Sequence, residues 1–250
     1  MRYGTLLEYI FEFTREDINT YLKAVAKEYR KLSGKEVPAE LILVGGASVL
    51  INYGFRNMTS DIDALILAAS SMKDAINSVG DRFNLPNGWL NADFENTLSY
   101  TPKLVQYSEY YRTFSNIVSI RTVSAKYLIA MKLRSGRQYK NDLSDILGIL
   151  AEHEKRNNPV SMDQIRKAFV DLYGDWSLLS ENMCVFIENI MTNQNFAELY
   201  RNAIDQEQET NELLHGFDHN YPGVLKTANV DEIISLLRGK KNHEGKDQNT

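Results

Sequence analysis

Leu41–Leu67 reads LILVGGASVLINYGFRNMTSDIDALIL, and the fold turns on how that stretch is parsed. Leu41-Ile42-Leu43-Val44 is an apolar run with the length and composition of a buried strand. Gly45-Gly46 breaks the run and allows a turn whose backbone can approach a ligand closely. Ala47 to Tyr53 predicts a short helix closed by Gly54. Asp61 to Leu67 predicts a second strand, acidic at its start and apolar afterwards. Side chains two apart on a strand share a face, so Asp61 and Asp63 project together while Ile62 enters the core. Two like charges side by side repel and add no stability. A divalent cation between them supplies the missing reason.

This arrangement, Gly-Gly-x-Ser followed by Asp-x-Asp on a strand, resembles the nucleotidyltransferase superfamily with the polymerase-beta-like fold. Gly45, Gly46, Ser48, Asp61 and Asp63 carry the resemblance. It is closest to bacterial minimal nucleotidyltransferases and AbiE-type nucleotidyltransferase toxins, whose Arg-x-x-Thr/Ser-x-Asp-hydrophobic-Asp signature is matched by Arg56, Thr59, Asp61 and Asp63. Trp89-Leu90-Asn91, the helix Leu128 to Arg137 and the acidic segment Asp142 to Ile146 match further family features, so the likeness runs from Leu41 to Leu150. It implies an α/β (α+β) nucleotidyltransferase core, a small mixed sheet flanked by helices, with a C-terminal helical region. It also implies a nucleoside triphosphate substrate, Mg²⁺ or Mn²⁺ on Asp61 and Asp63, and nucleotide contacts from Gly45, Gly46, Ser48, Arg56 and Thr59. For Arg56 and Thr59 the alternative is structural, fixing the loop ahead of Asp61. Enzymes of this fold usually carry a third carboxylate on a later strand. Here that strand, about Phe114 to Arg121, offers Ser119 and Arg121 and no acid. Asp93 and Glu95 are alternative donors, and the general base is unassigned.

Composition sets outer bounds. With 43% apolar and 24% charged residues, the chain has the make-up of an ordinary globular protein, and its formal charge of −5 excludes a surface that is basic throughout. A local basic groove remains compatible with that balance. The one cysteine, Cys184, rules out an internal disulfide framework and fits a reducing compartment; its neighbours Met183, Val185 and Phe186 suggest a small buried residue. No apolar run reaches the length of a membrane span, and the first residues lack a signal-peptide cleavage pattern. A cytoplasmic protein is expected, with no membrane partner.

Three domains of order are expected along the chain: a nucleotidyltransferase domain over 1–156, a helical domain over 157–237, and a disordered tail over 238–250. Thr14 with Asp17 marks the entry of a helix from Arg15 to Leu32. Ser70 or Ser71 caps a helix to Phe83, and Leu85-Pro86-Asn87-Gly88 is a turn. Trp89 to Asp93 reads as irregular or briefly helical, with Trp89 either stacking on a base or in the core. Ser124 caps a helix to Gly136, on which Lys126, Lys132, Arg137 and Lys140 fall in one sector at about 100° per residue. Lys132, flanked by apolar residues, is the base most readily drawn inward, either to bind phosphate as part of the catalytic set or to snorkel at the surface. Asp142 and Asp145 share a helix face, either shaping the site or pairing with Arg137 or Lys140. Asn157-Asn158-Pro159 is the expected boundary and Ser161 with Gln164 a capping box. Helices are expected over Met162–Tyr173, Leu178–Met191, Phe196–Leu214 and Val230–Leu237, with His215 and His219 in a loop.

The function implied is transfer of a nucleoside monophosphate from ATP or another triphosphate to an acceptor hydroxyl on RNA, tRNA or a protein. A toxin or phage-defence setting would add an antitoxin protein as partner. The alternatives are a small-molecule nucleotidyltransferase of the antibiotic-modifying kind and a non-catalytic nucleotide- or RNA-binding module.

Overall fold

The computed structural model describes residues 11–137, 141–226 and 229–247, with side chains described to residue 239. A five-stranded mixed sheet in the order β3-β2-β1-β5-β4 forms its centre. The strands are β1 (Ala39–Leu43), β2 (Ile62–Leu67), β3 (Leu90–Asn91), β4 (Ser108–Phe114) and β5 (Val118–Val123). β1 pairs antiparallel with β2 and parallel with β5; β2 and β3 run parallel, β4 and β5 antiparallel. A mixed sheet flanked by helices, with further helices after it, is the expected fold class.

Alternation along the strands divides the core in two. Leu41 and Leu43 of β1, Ile62 and Ala64 of β2, and Val118 and Ile120 of β5 face α1 (Arg15–Ser33) and α3 (Ser71–Phe83). Ile42 of β1, Leu65 of β2 and Val123 of β5 face the opposite way, toward α5 (Ala125–Ser135) and α6 (Asp142–Lys155). α2 (Gly45–Asn52) contributes to both halves, Ala47 and Ile51 to one and Val49 to the other. α1 starts on the expected capping box, Thr14 accepting from the Asp17 N–H while Asp17 accepts from the Thr14 N–H.

The second core crosses the turn at Asn157–Pro159. Ile165 and Phe169 of α7 (Met162–Tyr173) and Ile187 of α8 (Glu181–Asn193) pack in the same cluster as Leu128 of α5 and Ile146 of α6. The short α4 (Leu104–Tyr107) adds Leu104 to it. α9 (Phe196–Asn220) lies along α6, and α10 (Val230–Asp247) packs on its far end through Val230, Ile234 and Leu214.

Several expectations need correction. Gly45 and Gly46 are the first residues of α2 and not a separate turn. β4 extends the hairpin well ahead of Phe114; its exposed Glu109, Tyr110, Arg112 and Thr113 suit an edge strand. α9 continues through His215 and His219, which are exposed on the helix; Gly216 has open space around it and costs the helix only propensity. α10 runs through Asp247, so the segment expected to be disordered is helical as far as that residue. Cys184 is half-buried. The first ten residues, with the leader reading, and Lys140 lie outside the described residues.

Candidate active site

β1 and β2 place the conspicuous residues together. Val44 donates its N–H to the Asp63 carbonyl at 2.9 Å, so the chain leaves β1 beside the start of β2. Gly45 follows with φ +54°, in the left-handed region that glycine adopts without a Cβ penalty, and a Cβ there would stand 3.5 Å from Asp63 Oδ2. No side chain caps α2, so the N–H groups of its first turn are available to a ligand. Asp61, just ahead of β2, and Asp63, within it, are both partly exposed, while Ile62 between them is fully buried.

The loop ahead of Asp61 is fixed by the residues that precede it. Thr59 is buried, exchanges backbone hydrogen bonds with Phe13, and donates its hydroxyl to the Asp61 carbonyl at 3.2 Å. Arg56 donates Nε to the Met58 carbonyl at 2.8 Å and one terminal nitrogen to Asp145 at 2.6 Å. Gly46 makes room for both: a Cβ there would fall 2.5 Å from Thr59 Oγ1 and 3.0 Å from the Arg56 guanidinium. Arg56, Thr59 and Gly46 therefore act here as a scaffold, and the geometry favours the structural role for all three.

A cavity of about 180 Å³ opens where these elements meet α5 and α6. Its lining takes Asp61 from just ahead of β2, Asp63 from β2 and Asp93 from the segment after β3, Gly45 from the start of α2, and Lys132, Ser135, Arg137 and Asp142 from α5, the residues after it and α6. Asp93 arrives because β3 pairs beside β2, setting Asn91 opposite Asp63; the Asn91 side chain then accepts from the Asp93 N–H at 2.7 Å. Thr97 and Ser99, which the sequence did not single out, also line it, with Val44, Phe94, Leu128 and Met131 as its apolar part.

Lys132 is drawn inward as expected, but into carboxylates. Its Nζ lies 2.6 Å from Asp145 and 3.0 Å from Asp142. Arg56 shares the Asp145 Oδ2 atom with Lys132, and Arg137 takes the other oxygen of Asp142 at 3.0 Å, so five charges alternate along one chain. Burial opposes the Lys132 ammonium, but Asp145 and Asp142 outweigh it and hold the pKa above the ordinary lysine value. Burial would likewise raise Asp142; Lys132 and Arg137 reverse this and hold it well below the usual carboxylate range. Glu207, one further acid that sequence reasoning missed, reaches in from α9. It accepts the Ser144 N–H at 3.1 Å, and burial, with Asp145 nearby, pushes it up to about 7. Only the docking of α9 on α6 brings it close, so no local pattern announces it.

Some candidates fall outside the cavity. Ser48 is fully buried and its hydroxyl accepts the Val123 N–H at 3.0 Å, a tie between α2 and β5 that leaves it off the lining. Trp89 is 3% exposed, edge-on to Tyr21, with its indole N–H donated to the Ile76 carbonyl; it is core and presents no face to a base. Lys126, at the opposite end of α5 from Lys132, lies over the Tyr127 ring.

A family model described as "Nucleotidyltransferase of unknown function (DUF6036)" matches residues 20–177. The chain belongs to that family. The match spans the whole sheet, the cavity and α7, and supports a transferase handling nucleoside triphosphates. No curated protein and no solved structure matches the chain significantly. Among the described residues no helix is long and apolar enough to cross a membrane. Among them, too, no three His, Cys, Asp or Glu side chains converge closely enough to hold a metal ion by themselves. Mg²⁺ acting on phosphates needs no such cage: it is commonly held by one or two carboxylates plus phosphate oxygens and water. Asp61 and Asp63, hard oxygen donors on one face, fit that requirement.

Proposed function

We propose that this nucleotidyltransferase moves a nucleoside monophosphate from a triphosphate to an acceptor hydroxyl, with Asp61 and Asp63 as the ligands of Mg²⁺ or Mn²⁺. The observation that carries the reading is one cavity lined by Asp61, Asp63 and Asp93, by Lys132 and Arg137 with Asp142 between them, and by Gly45 at an uncapped helix start. A divalent ion bound there would offset phosphate charge and make the acceptor oxygen more acidic.

The residues divide the remaining work. The first N–H groups of α2 receive the terminal phosphate oxygens, helped by the positive end of the helix. Arg137 and Lys132, two cations around one Asp142, offset the negative charge that gathers on the departing pyrophosphate. Lys132 acts from its place between Asp142 and Asp145 rather than as a swinging phosphate hook. Asp93, exposed at the cavity's edge, takes the proton of the acceptor hydroxyl. The acceptor oxygen bonds to the α-phosphorus, the bond to the β-phosphate oxygen breaks, and pyrophosphate leaves. The likeness to AbiE-type toxins adds the finer reading: a cytoplasmic growth inhibitor acting on RNA, tRNA or protein, silenced by an antitoxin protein.

Calorimetric titration of each triphosphate with Mg²⁺ tests the site. Wild-type protein should bind in a metal-dependent manner, and Asp61→Asn/Asp63→Asn should lose at least about tenfold in affinity while remaining folded. Equal binding by both proteins would remove the pair from the mechanism. That no three acids among the described residues group closely enough to hold a metal favours one second reading, a nucleotide-binding module without catalysis. In that case Asp93→Asn would leave every phenotype of the wild type intact.

A further inference from the structure

Away from the cavity, the groove between α1 and α3 gathers positive charge in a protein whose net charge is −5. Lys27, Arg30, Lys31, Lys35 and Arg82 line it, with Glu28 the one acid among its lining residues. Lys31 and Arg82 both turn to that carboxylate, at 3.1 and 3.3 Å. Lys27 and Lys35 are exposed and have no carboxylate within ion-pair distance among the described residues. Packing does not require this charge: the buried side of α1 is Ile18, Leu22, Val25, Ala26 and Tyr29. The helix dipole accounts for Arg30 and Lys31 in the last turn of α1 and for Arg82 in the last turn of α3, but not for Lys27, a turn earlier, or for Lys35, beyond the helix end.

We propose that this groove is a docking surface for the phosphodiester backbone of a nucleic acid. Lysine and arginine heads on flexible stems, lining an open groove, suit a regularly spaced polyanion. Its position adds to the case. The start of α1 is tied to the site, since Phe13 pairs with Thr59 two residues before Asp61, whereas the groove lies at the other end of this 19-residue helix. At 1.5 Å per residue the way from Arg15 to Lys27 and Lys31 is about 18–24 Å, the span of roughly five to seven stacked nucleotides of one strand. A small-molecule acceptor cannot occupy both places; a polynucleotide can, with one end at Asp61 and its backbone in the groove. The acceptor assignment rests on the transfer reading above, but the docking surface does not.

The test is fluorescence anisotropy of end-labelled RNA and DNA oligonucleotides of one sequence, at several salt concentrations. The full chain is compared with Lys27→Glu/Lys35→Glu, which breaks no ion pair, and with a control of equal charge change, Lys155→Glu/Arg201→Glu, on exposed positions of α6 and α9. Wild-type affinity should fall with salt at a log–log slope of about −3, and the groove variant should lose about tenfold in affinity and about one unit of slope. The control should change by less than about threefold. Equal binding of RNA and DNA, or a preference for RNA, supports the proposal. Equal loss in groove variant and control overturns it, as does wild-type protein that ignores both oligonucleotides while binding polyglutamate, which would give the groove to an acidic protein. Titration with Mg²⁺ and triphosphate separates the two readings. If binding fails there yet survives on the oligonucleotides, the cavity assignment fails and the groove stands.

Discussion

At the scale of single residues, identity was easier to read than partnership. Asp61 and Asp63 line one cavity because a period of two put them on one face, and that period is written in the chain. Lys132 was legible as an inward base because apolar residues flank it, but its partners were not. Asp142 and Asp145 reach it from the next helix, and no local pattern fixes how α6 sits against α5. The outcome changes what Lys132 does. Pinned between two buried carboxylates, it is first of all a structural cation, and removing it strands charge in the interior. Lys132→Met should therefore cost about 3 kcal/mol in denaturant unfolding, with Mg²⁺–triphosphate binding weakened further than the stability loss explains. A loss below about 1 kcal/mol would mean that water screens the pair as it does at a surface.

At the scale of elements, helices that begin on capping boxes, α1 and α7, were readable nearly to the residue, since Thr14 with Asp17 and Ser161 with Gln164 are local signals. β4 and the far end of α9 were not, because an edge strand and a half-exposed helix carry little apolar period. Gly148 shows what such reading misses altogether. It sits inside α6, where glycine costs helix stability, and alanine should gain about 1 kcal/mol by propensity alone. Yet a Cβ there would come within 2.5 Å of the Phe55 ring. Phe55 in turn meets Tyr200 of α9 edge-on at 5.5 Å and accepts the Tyr200 hydroxyl on its carbonyl at 3.1 Å. Packing should win: Gly148→Ala is expected to destabilise by about 1–3 kcal/mol, measured by thermal unfolding. A higher melting temperature would show that Phe55 gives way freely.

At the scale of the molecule, α9 does more than extend a helical C-terminal region, because it brings Glu207 onto the first turn of α6, beside Asp145. That contact depends on a separation of more than sixty residues in sequence, which explains why the sheet and its two carboxylates could be anticipated and this carboxyl could not. Its consequence is a pH dependence of opposite sign to the usual acid effect. Burial, first, and then Asp145 raise Glu207 to about 7, whereas in the unfolded chain it returns to the ordinary glutamate value of about 4.3. Between those values the folded protein holds a proton that the unfolded chain has released, so stability falls as pH rises. Its contribution is complete below about pH 4 and is gone once pH has passed through about 7, on the order of 1 kcal/mol for a half-buried group. Asp142 works the other way, its depressed pKa adding stability above the ordinary carboxylate range that is lost only in acid. Across pH 5 to 8 the Glu207 effect should thus be isolated in the difference between wild type and Glu207→Gln. The variant should keep its melting temperature where wild type declines. Parallel curves for the two proteins would mean that Glu207 is ionised throughout and that α9 rests on α6 without sensing the charge beneath it.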